Sequence, residues 1–542
     1  MRFDRWSLVV LILGLYGWLQ GATVGQLSSA NAADDVGEAG TEIVELRKQM
    51  IRRIDEHLAE LWEQRGIVPA SSGSDGEFLR RAYLDLNGVI PRVSEVRSFL
   101  ADRRPDKQRL LVDRLLESPR YASHMATVWQ NRILPYEIEM QHVREAIGLH
   151  QWLRSRFARN LRYDNLVEGL LLATGEEELG PGLYYRALDL APEKIAASAA
   201  ELFLGLHLQC AQCHDHPYAN WSQRDFWGFA AFFARVRSPE DRMMRTSYRL
   251  FDDDRGEVLL PDTEEVIYPK YLQASLAADD KSQTRRMQLT LWMTSRDNRL
   301  FVRAAVDWAW SHLFGRGLVP SLDHVGDLAL SDHSKLLEEL AEYFVRSGFD
   351  LQYLFLVLAS TRAYQLSGQY VSEGTSPPEL FARMLAKPLT PEQLYDSFLV
   401  LSPSLKGEEQ RYGPQAEQAT GGMTIDPTRM EFVRRMRSPP GDATEYRSGT
   451  LQALMLMNGE LMDRLTAADR SSLLGALAAP YLDDEQQIEA VFLAALARSP
   501  TPAQQAQCVE MLRACETSEE RTSALGDILW ALANSTEFGF NR

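Results

Sequence analysis

The sequence predicts a mainly α fold: two helical domains with a small β-hairpin insertion near residues 256–270. Three observations predict it. Apolar residues recur at intervals of three and four along most of the chain, the spacing that lays a stripe down one helix face. Prolines at 105, 119 and 192 stand where first helical turns begin, and glycines stand where helices stop. Only 256–270 reads differently. There Gly256-Glu-Val-Leu-Leu-Pro261 and Glu265-Val-Ile-Tyr-Pro269 form two short strand-like runs between turn residues. A composition of 45% hydrophobic and 25% charged residues is ordinary for a globular chain, and 542 residues exceed one ordinary core.

Residues 1–32 read as a signal peptide. Arg2 and Arg5 give a basic start, 6–19 is almost wholly apolar, and Ala30-Asn31-Ala32 sets cleavage before Ala33. The apolar run falls short of the ~20 residues that span a bilayer, so no stable membrane span is expected after cleavage. The expected location is therefore the periplasm or cell envelope. A formal net charge of −17 argues against a general nucleic-acid binder, which needs a basic surface to displace counterions. It also disfavours docking on an anionic membrane.

Residues 33–74 are expected to form an N-terminal helix and linker. Positions 33–40 are small and acidic and read as flexible. Ile43, Leu46, Met50, Ile54, Leu58 and Leu61 then make one apolar face, with Thr41 as cap and Gly66 as stop. The first domain is set at 75–280, with helices at 78–86 (stopped by Asn87-Gly88), 107–116, 121–133 and through 143–173. A loop at 175–182 precedes the helix opened by Pro192, whose apolar face runs through Ile195, Ala199, Phe203 and Leu206 into Cys210. An aromatic helix follows at 225–236. The second domain is set at 285–542, with breaks at Gly315, Gly317 and Gly348, a long loop at 401–445, and helices from Thr450 onward.

The chemistry concentrates at Cys210-Ala-Gln-Cys213-His214-Asp215-His216-Pro217. Two cysteines two residues apart, with histidine after the second, form the c-type haem attachment pattern. The thiols of Cys210 and Cys213 can add to the vinyl groups of haem c, and His214 can reach the iron as proximal ligand. His207, His216, Met243 and Met244 are the nearby candidates for a further ligand. A second reading is a thiolate–imidazole site for zinc built from Cys210, Cys213, His214 or His216, and His207, with Asp215 orienting an imidazole. A third is a Cys210–Cys213 disulfide with no cofactor. Cys508 and Cys515, seven apart in a helical pattern, are about 10 Å apart and too distant to bridge.

Other candidates are weaker. Three adjacent acids, Asp252 to Asp254, lack calcium-loop spacing. His324, Asp327 and His333 fall in a loop-like stretch with Asp323 and Asp332, which reads as a polar connection. Trp308 and Trp310 read as core.

Several stretches together resemble a known pairing. Phe78-Leu-Arg-Arg-Ala-Tyr-Leu-Asp-Leu-Asn-Gly88, Ile90-Pro91, the run from Leu206 to Pro217 and Phe226-Trp-Gly-Phe-Ala-Ala-Phe-Phe233 resemble the planctomycete-specific cytochrome-like domain. Asn298 to Gly317, Arg362-Ala-Tyr-Gln365 and Ala494 to Arg542 resemble the companion planctomycete domain of unknown function that follows it. The resemblance implies an exported protein of unassigned role, called cytochrome-like for its CxxCH string. It also implies an exported sulfatase-like companion protein as partner and a link to polysaccharide breakdown, on association alone. The chain departs from the pattern at Asp307, where relatives often carry Asn. It has no cysteine pair within 439–446, and it reads Tyr218-Ala-Asn-Trp221 after the motif. The expected function is thus an exported c-type haem protein with a redox or electron-transfer role. The alternative is a non-haem envelope binding or scaffolding protein.

Overall fold

The computed structural model describes residues 28–135, 142–175, 180–215, 221–239, 249–272, 282–319, 331–369, 377–401, 427–437, 450–467, 470–479 and 481–542. Among these the protein is mainly α-helical, with three two-stranded antiparallel sheets. Residues 1–53 and 54–542 form two compact units. In the first, the described part belongs to the helix Ser28–Arg65. Residues 33–40 are therefore helical rather than loose, and Thr41 lies inside the helix instead of capping it. Ala30, Ala32, Ala33 and Ala39, the best helix formers, account for the longer run. The signal-peptide segment lies outside the described residues up to position 27. Of the predicted stripe, Ile54, Leu58 and Leu61 are buried, while Ile43 is exposed.

Both stretches read as domains, 75–280 and 285–542, fall within the second unit. The helix Asp75–Ala82 starts on a capping box in which Ser74 and Glu77 satisfy each other's backbone N–H groups. It passes into a π-helical turn, Tyr83–Asn87, ended by Gly88 in the left-handed conformation (φ 70°). A Cβ at Gly88 would meet His124 Nδ1 at 2.3 Å, so glycine serves both the backbone turn and the close packing. Arg80 and Arg81 are buried and commit their guanidiniums to backbone carbonyls far along the chain. Arg80 donates to Ala495 O (2.8 Å) and Phe538 O (2.7 Å), and Arg81 to Tyr364 O and Leu366 O (2.9 Å). The terminal nitrogens of both guanidiniums are met in this way, and these bonds interlock the first stretch with the second.

The hairpin appears where the sequence places it: Val258–Leu259 pairs antiparallel with Val266–Ile267. Two further ladders carry no sequence signal, Val236–Arg237 with Phe251–Asp252 and Lys387–Pro388 with Phe540–Asn541. Two-residue strands have no alternation to read. The aromatic helix is shorter than expected, Gln223–Ala230, and turns precede the strand at Val236. The expected loop at 401–445 contains a helix, Pro427–Met436, held to the helix Pro391–Leu401 by an Arg429–Asp396 ion pair of 2.9 Å. Residues 402–426 and 438–445 of that loop lie outside the described ones. Trp308 and Trp310 are core, as expected.

Candidate CxxCH site

The helix Pro192–Ala199 opens on proline and buries Ile195, Ala196 and Ala199. It does not run on to Cys210. A π-helical turn, Ala200–Leu204, follows, and Gly205 (φ 69°) ends it in the left-handed region that favours glycine. The chain then leaves as a 3₁₀ turn, Leu208–Gln212, that carries Cys210, with Cys213 as its C-cap. Leu208 and Ala211 point inward and are buried, whereas Cys210, Cys213, His214 and Asp215 are exposed.

The loop is fastened from one side by the helix Gln223–Ala230. Ser222 caps that helix through a box with Asp225. Its first residue, Gln223, donates Nε2 to Gln212 O (3.1 Å) and Cys213 O (3.2 Å), and its backbone N–H to Asp215 Oδ1 (2.8 Å). One turn later Trp227 Nε1 donates to Gln212 O at 3.0 Å. Three donations to backbone carbonyls and one to the Asp215 carboxylate therefore hold the motif from this side, while both cysteines are exposed.

Cys210 and Cys213 are free thiols. His214 Nδ1 stands 2.8 Å from the Asp215 carbonyl oxygen. A carbonyl only accepts, so Nδ1 carries the proton and Nε2 keeps its lone pair on an exposed ring. That is the tautomer a metal-binding imidazole needs, fixed by a backbone acceptor. His207 Nε2 faces Glu201 Oε1 at 3.7 Å. Its hydrogen bond draws the Glu201 carboxyl below its ordinary range, against partial burial.

The residues present thus fit covalent haem attachment: two accessible thiols and an oriented imidazole. Among the described residues, no group of three or more His, Cys, Asp or Glu side chains stands close enough to hold a metal ion. His216, Met243 and Met244, named as further ligands, lie outside the described residues. So do His324, Asp323 and Asp327. His333 is buried and commits its ring to His57 Nε2 (3.2 Å) and Glu379 O (2.7 Å), while Asp332 pairs with Arg65. Asp252 pairs with buried Arg286 at 2.8 Å. Cys508 and Cys515 are unpaired and pack at the margin of a core cluster.

Sequence reasoning misses a buried polar network around Asp85, in the Tyr83–Asn87 turn. Asp85 accepts from Lys387 Nζ (2.6 Å), Tyr364 Oη (2.8 Å) and Asn541 Nδ2 (2.7 Å), and His312 Nε2 stands 2.9 Å from its carbonyl oxygen. Its one sequence signal is a carboxylate inside an otherwise apolar helical run, Tyr83-Leu-Asp-Leu-Asn87.

A family model described as PSCyt2, protein of unknown function (DUF1549), matches residues 53–238. A second, described as PSD1, protein of unknown function (DUF1553), matches residues 285–512. No curated protein and no solved structure gives a match.

Proposed function

Because the chain belongs to the proteins in which a PSCyt2 domain is followed by a PSD1 domain, we propose that it is an exported c-type haem protein with a redox or electron-transfer role in the cell envelope. Cys210 and Cys213 would hold haem c, and His214 would be the proximal ligand. The observation that carries this reading is the set of two exposed free thiols beside an imidazole whose Nδ1 is committed to the Asp215 carbonyl. Bound there, haem would supply one-electron chemistry. The chain's part is to present both thiols, hold the His214 tautomer, and brace the loop through Gln223 and Trp227. Export is supported by the basic and apolar start of the sequence and the Ala30-Asn31-Ala32 site. Among the described residues no helix is long and apolar enough to cross a membrane. A role beside an exported sulfatase-like protein in polysaccharide breakdown belongs to the same proposal and rests on the resemblance alone.

The test is expression with a haem-maturation system, denaturation, and a pyridine haemochrome spectrum of the stripped chain. Retained haem is expected, with attachment weakened in Cys210→Ala and Cys213→Ala and an altered iron spectrum in His214→Ala. An unloaded chain, under conditions that mature a control cytochrome, would sink the reading.

A further inference from the structure

The helix Gln223–Ala230 that braces the CxxCH loop also carries the 258–267 hairpin on its other flank. Arg224 forms a two-pronged ion pair with Glu265 (Nη2 to Oε2, 2.7 Å). Asp225 Oδ1 accepts from Lys270 Nζ at 2.6 Å, and the Lys270 backbone N–H donates to Gly228 O at 2.9 Å. A Cβ at Gly228 would lie 2.7 Å from Lys270 Cβ, so the two elements touch backbone to side chain. An eight-residue helix is about 12 Å long. The CxxCH loop and the hairpin are therefore both fastened to one short helix.

The hairpin is apolar on both faces. Val258 and Ile267 point inward onto Ala231 and Ala234, as a buried face should. Leu259 (51% exposed), Val266 (37%) and Tyr268 (63%) point outward. Leu259 and Val266 are direct cross-strand partners, and Tyr268 stands exposed just past the second strand. The solvated face of a short antiparallel pair ordinarily carries polar residues. Three contiguous large apolar side chains there mark a surface built to be covered.

The rim says what covers it. Asp262 and Glu264 edge the hairpin turn, Asp215 edges the motif, and the whole chain carries −17. A second copy would set acid against acid, whereas a partner with an apolar centre and basic rim meets complementary charge.

We infer that this outer hairpin face is the docking surface for a basic one-electron redox protein that exchanges electrons with the CxxCH site. The redox part rests on the haem reading. One electron crosses per encounter, so the partner's centre gains what the site loses, or the reverse, and no atom or proton need move.

The probe is a small basic cytochrome c, titrated calorimetrically into the full chain at low and moderate salt, with an acidic cytochrome as control. Leu259→Ser/Val266→Ser/Tyr268→Ser should weaken binding about tenfold while leaving circular dichroism and haem content unchanged. Asp262→Asn/Glu264→Gln should flatten the salt dependence. Equal affinity of the triple variant, salt-independent binding, or equally tight binding of the acidic control would each overturn the inference. So would a dimer of the chain that the triple variant dissociates, since the face would then belong to a second copy. Electron transfer to the probe is followed separately by stopped flow. A chain without haem loses that signal but not the titration, so failure of the haem reading is told apart from failure of the surface.

Discussion

Lys387 Nζ and Asp85 Oδ1 stand 2.6 Å apart with side chains 12% and 4% exposed, an ion pair joining the PSCyt2-matching segment to the PSD1-matching one. Lys387 also donates to His312 O (2.9 Å) and Leu313 O (2.8 Å), so all its donors are met. Burial presses the Lys387 ammonium below its ordinary range, and the Asp85 charge works against that. Such a pair contributes little compared with well-packed apolar residues, but removing one member leaves a charge with no compensation.

Lys387→Met and Asp85→Asn should therefore each cost about 3–5 kcal/mol in urea unfolding. The double variant should cost less than the sum of the two, with a coupling of about 0.5–3 kcal/mol. Strict additivity would show that the two residues do not act as one unit.

Acid should destabilise the fold well before carboxylates are titrated. Burial holds His124 at about 3 and both His150 and His312 at about 4, against an ordinary 6.5. Neutral imidazole is the folded form and the unfolded chain binds the extra protons, so stability rises with pH across this interval. The contribution is full above pH 6.5 and is lost progressively as pH falls from there towards 4. Each tenfold difference in proton affinity between the folded and unfolded rings is worth about 1.4 kcal/mol. Urea midpoints measured from pH 7.5 to 4.5 should fall steadily. A flat profile would contradict the burial of these rings.

Asp307 pulls the other way. Burial raises its carboxyl to about 6, although Oδ1 accepts the backbone N–H groups of Leu318 (2.7 Å) and Val319 (3.2 Å). Its charged form is disfavoured in the fold, so the stability it contributes is full below about pH 3.8 and is lost as pH rises from there through about 6. Asp307→Asn keeps an acceptor for both N–H groups and removes the charge. It should raise stability by about 1–2 kcal/mol at pH 7 and have little effect near pH 3.8. Thermal unfolding at the two pH values checks this, and a loss at pH 7 would refute it.

The four cysteines should label in order of exposure. Cys210 and Cys213 are exposed, whereas Cys508 is partly covered and its thiol is raised by burial. Iodoacetamide followed by peptide mass spectrometry should modify the motif pair about tenfold faster than Cys508 in the unloaded chain. Haem attachment should abolish labelling of the motif pair alone.

What can be read from the sequence is local. Pro119 and Pro192 at first turns, the Asn87-Gly88 stop and the two apolar runs of 256–269 set between turn residues each act within a few positions, so helices and hairpin follow from them. Cys210, Cys213 and His214 are readable for the same reason, since their chemistry is set by spacing. Nothing local brings Asp85 to His312, Tyr364, Lys387 and Asn541, which lie 227 to 456 positions away. The Lys387–Pro388 and Phe540–Asn541 ladder that delivers two of those partners is too short to announce itself. Gly205 is a readable stop before the motif, but the apolar stripe continues past it to Leu206 and conceals the break.

The span between Asp85 and Asn541 also fixes an order of events during synthesis. At about 5–20 residues per second, roughly 20–90 s pass between making the carboxylate and making the amide that completes its shell. For that interval the buried Asp85 carboxylate gains Tyr364 and Lys387 in turn but still lacks Asn541. If the chain is exported as proposed, that delay leaves this part of the core incomplete until nearly all of the chain has been made.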